Sequence, residues 1–222
     1  MTVLAIDTCE SFCSAALVLP EGRTVCKSEN IGRGHAERLL PMIEELLVEA
    51  DTKYDSLSRI AVITGPGTFT GLRIGLSVAR GLALALGIPC IGIMSLAAIA
   101  AEIMAGKPDT VVHAVTNGRG GQVFYQSFQG IFSSGFPKAL TEPVNVDLDI
   151  VEKAIKETPG IVGGSAATLV NRVDCLSEIV AVNPLYAAKL ALKLCPEDFP
   201  PEPSYLRAAD AAKAKVVFQV IP

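Results

Sequence analysis

The chain of 222 residues has no tryptophan and only two histidines, and aromatic residues make up 5% of it. His35 and His113 belong to no H-x-x-x-H or H-E-x-x-H pair, and the residue four beyond His35 is Leu39. One helix face therefore cannot supply two imidazoles, which sets aside that class of zinc site. Six cysteines, at positions 9, 13, 26, 90, 175 and 195, include no CxxC pair. A zinc ribbon or thioredoxin-like site needs that tighter spacing, so the thiols read as free and the compartment as reducing. Basic residues are outnumbered 19 to 23, and they are not concentrated: residues 1–105 carry 8 basic and 11 acidic groups, residues 106–222 carry 11 and 12. With no basic half to neutralise a phosphate backbone, the chain is not expected to bind nucleic acid by itself. No G-x-S-x-G elbow marks a serine nucleophile.

Charge is also missing from the whole of 81–101, a length that could span a bilayer. Gly87-Ile88-Pro89 divides that run, and Gly92 and Ser95 follow. The expected outcome is a helix end, a buried strand and a new helix, with no membrane span. The opening MTVLAIDT has no basic region and places Asp7 where a leader would still be apolar, which predicts a cytoplasmic protein.

Half of the residues are hydrophobic and 19% are charged, a composition that excludes a disordered chain. Val3–Ile6, Ala15–Leu19 and Thr24–Ser28 read as strands, with Pro20-Glu21-Gly22 as the turn between the last two. A helix is predicted over about Ala36–Ala50, with Leu39, Ile43, Leu46 and Ala50 on one stripe and Leu40 and Leu47 widening it. Pro41 requires this helix either to start near Leu39 or to kink. Then come a strand at Arg59–Thr64, a glycine-rich loop at 65–71, a helix at about Leu72–Leu86, a strand at Ile88–Ile93, and a helix to Met104 capped by Ser95. Alternation of this kind predicts an α/β layer structure with parallel pairing. Gly106–Asp109 is the predicted boundary between lobes at 1–105 and 106–222. Beyond it the expectation is strands at Val111–Thr116 and Gln122–Phe128, a helix at Leu148–Glu157, a strand at Ile161–Gly163, helices near Ala166–Arg172 and Pro184–Leu194, and an extended connector at Cys195–Ser204.

Three places could carry chemistry. The loop Gly65-Pro66-Gly67-Thr68-Phe69-Thr70-Gly71 leads from strand to helix, where exposed N–H groups can hold an anion. It lacks both the Gly-Lys-Ser/Thr of a P-loop and the G-x-G-x-x-G spacing, and it reads equally as a tight turn that lets the helix pack closely. Asp7-Thr8, ending the first strand, stands where actin-like and sugar-kinase-like folds place a first phosphate loop, or Asp7 simply caps its own turn. The matching second-lobe turn, Asn117-Gly118-Arg119, offers a neutral residue where magnesium would want a carboxylate. Gly163, Gly164 and Ser165 could approach an adenine ring or form an ordinary strand-to-helix loop. More prominent is surplus apolar helix surface. Leu72, Ile74, Leu76, Val78, Leu82, Leu84 and Leu86 surround the second helix, whose Gly71, Gly75, Ala79, Ala83 and Ala85 admit a close neighbour. A helix covering a sheet needs only one stripe, so a second contact is implied, from the first helix, from another chain, or from full burial.

Together, LAIDT at 4–8, His35 with LLPMIEELL at 39–47, GPGTFTGLRIG at 65–75, GLALALGIP at 81–89 and SLAAIA at 95–100 resemble the TsaB (YeaZ-like) family. The likeness is nearly continuous over 2–104 and thins to the strand-turn-strand near 111–128 and PSYLR at 203–207. It implies an actin-like/sugar-kinase-like (ASKHA) fold of two lobes, the second shortened. It further implies a non-catalytic subunit without metal or cofactor. Such a subunit binds and activates a TsaD-like catalytic subunit that adds threonylcarbamoyl to the adenosine next to the anticodon of tRNAs reading ANN codons. A TsaE-like ATPase completes the assembly, and tRNA is met only through the complex; whether the chain is a monomer or pairs with itself as a homodimer through the same apolar helices in isolation stays open. The two N-lobe helices would form the interface, which names His35, Leu39, Leu40, Ile43, Leu46, Leu47, Gly71, Leu72, Gly75 and Ala79 as partner-binding candidates. Relatives usually carry Asp-Ala-Arg where this chain has Asn117-Gly118-Arg119. The rival expectation is a small-molecule kinase or peptidase-like hydrolase using the interlobe cleft, with Asp7, Thr8, Gly163, Gly164 and Ser165 as its nucleotide site.

Overall fold

In the computed structural model, residues 1–118, 120–171 and 175–206 are described. Ten strands form two sheets. The first holds β1 (Val3–Asp7), β2 (Phe12–Val18), β3 (Thr24–Asn30), β4 (Arg59–Ile63) and β5 (Cys90–Ile93), in the order β3-β2-β1-β4-β5. The hairpin strands β1, β2 and β3 pair antiparallel, whereas β4 and β5 join parallel to β1. The second sheet holds β6 (Val111–Asn117), β7 (Gln122–Ile131), β8 (Pro137–Ala139), β9 (Val144–Asp147) and β10 (Ile161–Gly163), in the order β10-β6-β7-β8, with β9 also on β7. The short strands β8 and β9 carry no clear alternation and were not expected from the sequence.

Among the described residues, five helices separate and cover the sheets: α1 (His35–Glu49), α2 (Phe69–Leu86), α3 (Ser95–Met104), α4 (Leu148–Glu157) and α5 (Pro184–Ala191). The continuous apolar run of β1 is explained by burial on both faces. Leu4 and Ile6 meet α1 and α2, while Val3 and Ala5 enter the core shared with α3 and α5. That second core continues into Val112, Ala114, Phe124 and Phe128 of the other sheet, so one apolar cluster joins the two sheets. The uncharged stretch at 81–101 divides as expected, into the end of α2, β5 and most of α3. Gly87, at φ +63°, terminates α2 in the left-handed conformation that glycine adopts without strain.

Three local expectations are corrected. α1 starts at His35 and runs through Pro41 without a non-helical residue; Pro41 lies on the exposed side, where the Glu37 carbonyl that loses its helical partner can turn to water. Ser95 does not cap α3; it is the first helical residue, and its hydroxyl donates to the Pro66 carbonyl at 2.9 Å. The segment from Ala166 forms only a single tight turn, Ala167–Leu169, and Arg172 lies outside the described residues.

The two sheets lie on either side of 106–109, but α5 crosses back to pack on β1, β2 and β4. Its small residues Ala187, Ala188 and Ala191, fully buried, let it lie close to that sheet. The Arg59 guanidinium of β4 donates to the Ala191 and Leu194 carbonyls, at 2.7 and 2.8 Å, where the helix dipole is negative. Arg59→Met keeps the apolar stem and removes both charge-assisted bonds. It is expected to cost about 2 kcal/mol, a fall in Tm of roughly 4–8 °C for a chain of this size. The exposed Lys53→Met is the matching control, and equal melting of the two variants would refute this role.

Candidate functional site

Two features remain once the fold is assembled: a cluster of turns between the sheets, and an open face on α1 and α2. The turn cluster begins at Asp7. Its carboxylate accepts the Cys9 N–H at 2.9 Å, so it caps its own turn, one of the two readings the sequence left open. Burial pushes the Asp7 carboxyl up to about 6, against the pull of the Cys9 bonds and the nearby His35. The Thr8 hydroxyl donates to the Gly71 carbonyl at 2.7 Å, and the Thr68 N–H donates to the Cys9 carbonyl at 2.7 Å. The glycine-rich loop is thus packed directly on the first turn. A Cβ on Gly67 would stand 2.5 Å from the Cys9 carbonyl oxygen, and one on Gly71 would stand 2.0 Å from that of Thr8. These glycines exist for close backbone approach, and Thr68 caps α2 by accepting the Gly71 N–H.

Across the cleft, Gly163 ends β10 and Gly164 follows it. A Cβ on Gly164 would lie 2.2 Å from the Val115 carbonyl oxygen, so the pair presses the turn against β6 and aims Ser165 at the first lobe. Ser165 meets neither Asp7 nor Thr8; its hydroxyl donates to Glu10 at 2.7 Å and accepts the Asn117 N–H at 3.0 Å. Glu10 was missed in the sequence, although a carboxylate in the turn between β1 and β2 was a signal that could have found it. Burial raises its carboxyl to about 7, and the Asp7 charge adds to the rise. Arg119 and Arg207 lie outside the described residues. His113 is packed in the second lobe between the Tyr125 hydroxyl and the Thr158 carbonyl, away from this site.

The partner-binding candidates fall mostly on the wrong side of their helices. Leu39, Ile43, Leu46 and Ala79 have no exposed surface, and His35, Leu47, Gly71, Leu72 and Gly75 are also buried. A Cβ on Gly75 would point at the Thr8 hydroxyl, 2.7 Å away. These residues form the core against the first sheet and its turns, which corrects the expectation that they line an interface. Leu40 alone of that set is exposed. The outward positions are the opposite stripe: Leu40, Glu44 and Val48 of α1, with Ser77, Gly81, Leu84 and Ala85 of α2. Val48 is 80% and Leu84 85% exposed, and half-buried Ile74, Val78 and Leu82 extend this apolar face between the helices. At the start of α2, Phe69 contacts the Tyr205 ring at 5.4 Å and lies under the Arg73 guanidinium at 3.7 Å.

The chain is 33% identical to the tRNA threonylcarbamoyladenosine biosynthesis protein TsaB of Escherichia coli, over 72% of this chain and 68% of that one. It superposes on YeaZ from Pseudomonas aeruginosa with a TM-score of 0.79 and 30% identity, covering 92% of this chain and 99% of that one. The chain belongs to the TsaB (YeaZ-like) family. Residues 28–159 also match the family described as TsaD, tRNA N6-adenosine threonylcarbamoyltransferase. The fold is the two-lobed actin-like/sugar-kinase-like one. At the level of fold alone, a further neighbour is the activator of 2-hydroxyisocaproyl-CoA dehydratase from Clostridium difficile with bound ADPNP, at TM-score 0.52 and 12% identity over 89% of this chain and 95% of that one.

Proposed function

We propose that this chain takes part in tRNA threonylcarbamoyladenosine synthesis as a non-catalytic subunit that binds and activates a TsaD-like catalytic subunit in the cytoplasm. The observation that carries the reading is the exposed apolar face of α1 and α2 on a member of the TsaB family. Isolated exposed leucines need no explanation, but here Leu40, Val48, Ile74, Val78 and Leu84 lie on adjacent helices around Gly81, beside which nothing stands within 4 Å of a Cβ position. A helix pair from a partner could lie against this face and bury it. Activation then follows as a population shift, because a partner conformation that presents its own complementary face is stabilised by the contact. A TsaE-like ATPase would join the resulting pair, and tRNA would meet only the assembly. In the absence of a partner the same face would pair with a second copy of this chain.

Surface substitutions test the interface without disturbing the core. Leu84→Glu and Gly81→Trp are each expected to weaken binding to the catalytic subunit from the same organism by about 100-fold or more, equivalent to roughly 2.7 kcal/mol. Neither variant should melt below wild type. Calorimetric titration of the two subunits reads the effect, and wild-type affinity in both variants would overturn the assignment. Gly75→Trp is no test of it, since that side chain would collide with Thr8 inside the fold.

A further inference from the structure

We propose that Glu10 is a built-in anion, occupying the position between the lobes where a phosphate would otherwise be bound and tying the two lobes together in its place. Three turns converge on this side chain. It belongs to the turn between β1 and β2, Asn117 opens the turn between β6 and β7, and Ser165 follows β10. The Ser165 hydroxyl donates to the Glu10 carboxylate at 2.7 Å and is itself held by the Asn117 N–H at 3.0 Å. Turn amides and a serine hydroxyl aimed into a gap between lobes are the ligands that proteins offer to phosphate groups. Here the serine hydroxyl is already committed to a carboxylate supplied by the chain itself, 155 residues from Ser165 in sequence, and the Asn117 amide to that serine.

The surroundings fit this assignment and do not fit a nucleotide. The Asp7 charge opposes ionisation of Glu10, so a second negative group already acts on this side chain. The α2 N-terminus, the other place for an anion, is closed by the first turn: the Thr68 side chain takes the Gly71 N–H, and the Cys9 carbonyl takes the Thr68 N–H. Gly163 and Gly164 have a packing reason of their own, since a Cβ on either would strike Ile103 or the Val115 carbonyl. Nothing about them requires an adenine ring. The fold thus keeps the geometry of a phosphate cleft, with an internal carboxylate as its occupant.

The test uses the whole chain at pH 8, without any partner, so its outcome is independent of the interface reading. Amide hydrogen exchange is followed at 117 and 163–166 in wild type, Glu10→Ala and Ser165→Ala, with and without inorganic pyrophosphate at millimolar concentration. Both variants are expected to exchange about tenfold faster at these amides, the effect of losing one charge-assisted hydrogen bond. Pyrophosphate should restore protection in Glu10→Ala and leave wild type unchanged. Equal exchange in all three proteins would overturn the tie. Protection of the wild type by pyrophosphate, or faster exchange in Glu10→Ala that pyrophosphate does not reverse, would overturn the anion assignment. If Glu10→Ala fails to fold, Glu10→Gln keeps an acceptor oxygen for Ser165 but no charge, so exchange faster than wild type is then expected, and exchange equal to wild type would overturn the anion assignment.

Discussion

Gly71→Ala should lower the Tm by roughly 6–12 °C, the equivalent of about 3 kcal/mol in a chain of this size. The added Cβ would meet the Thr8 carbonyl oxygen at 2.0 Å and the Thr68 hydroxyl at 2.7 Å. The first contact is with backbone, so no side-chain rotation relieves it. Relief requires separating the first turn from α2, which stretches the Thr8–Gly71 and Thr68–Cys9 hydrogen bonds together. The same substitution ten residues later has the opposite sign. Gly81 lies within α2 with nothing near its Cβ position. Gly81→Ala should therefore stabilise by about 0.5–1 kcal/mol through helix propensity. Thermal melts of the two variants beside wild type check both signs, and a Gly71→Ala protein as stable as wild type would refute the close-approach account.

Asp7→Asn should stabilise the chain at pH 8 by roughly 2–3 kcal/mol, raising Tm by roughly 4–12 °C, and should change little at pH 4. Burial lifts the Asp7 carboxyl from its ordinary 3.8 to about 6. Between those values the folded chain keeps a proton that the unfolded chain has released. Stability therefore falls as pH rises through that window, and the full cost is present above it. Asparagine keeps an oxygen for the Cys9 N–H and carries no charge to desolvate. It also removes the negative neighbour that helps hold Glu10 up, so the Glu10 carboxyl should titrate lower in the variant. His113 works in the other sense: burial lowers its imidazole below the ordinary 6.5, so its contribution is lost as pH falls through that region. Both proteins contain it, and the difference between them cancels it. Denaturant melts of the two proteins from pH 4 to pH 8 give the result. A stability gap that does not widen with pH would mean the carboxyl is not held neutral by burial.

The alternation of strands and helices was legible because it is written locally. The paired runs of β1 and β2, the glutamate-backed stripe of α1, the boundaries of α4 and β10, and the break at Gly87 each follow from a few neighbouring residues and the periods of helix and strand. The family resemblance was legible for a related reason. In GPGTFTGLRIG, Gly67, Gly71 and Gly75 each answer a close approach to Thr8 or Cys9 at the end of the first strand, so the two motifs constrain one another. What faced inward was less legible. α1 carries apolar residues on both sides of Pro41, and α2 is apolar around most of its circumference, so residue type could not separate the face that covers the sheet from the face left open. Leu39, Ile43, Leu46 and Gly75 were assigned to the interface from the helices that the family resemblance implied, and packing against β1 and β4 reversed them.

The cleft shows the same division at longer range. Asp7, Asn117 and Ser165 were each recognisable as ends of strands or turns, because strand patterns and glycines mark such ends. That Ser165 would meet Glu10, and not Asp7 or Thr8, depends on how the second sheet docks across α3 and α5. The return of α5 to the first sheet likewise depends on buried alanines and on Arg59 holding its last carbonyls. By itself, then, the sequence determined the elements, their order and the family, all of which rest on short-range periodicity and motif spacing. Which apolar face stays open and which carboxylate fills the cleft were decided by the tertiary structure, because both depend on contacts between residues distant in the chain.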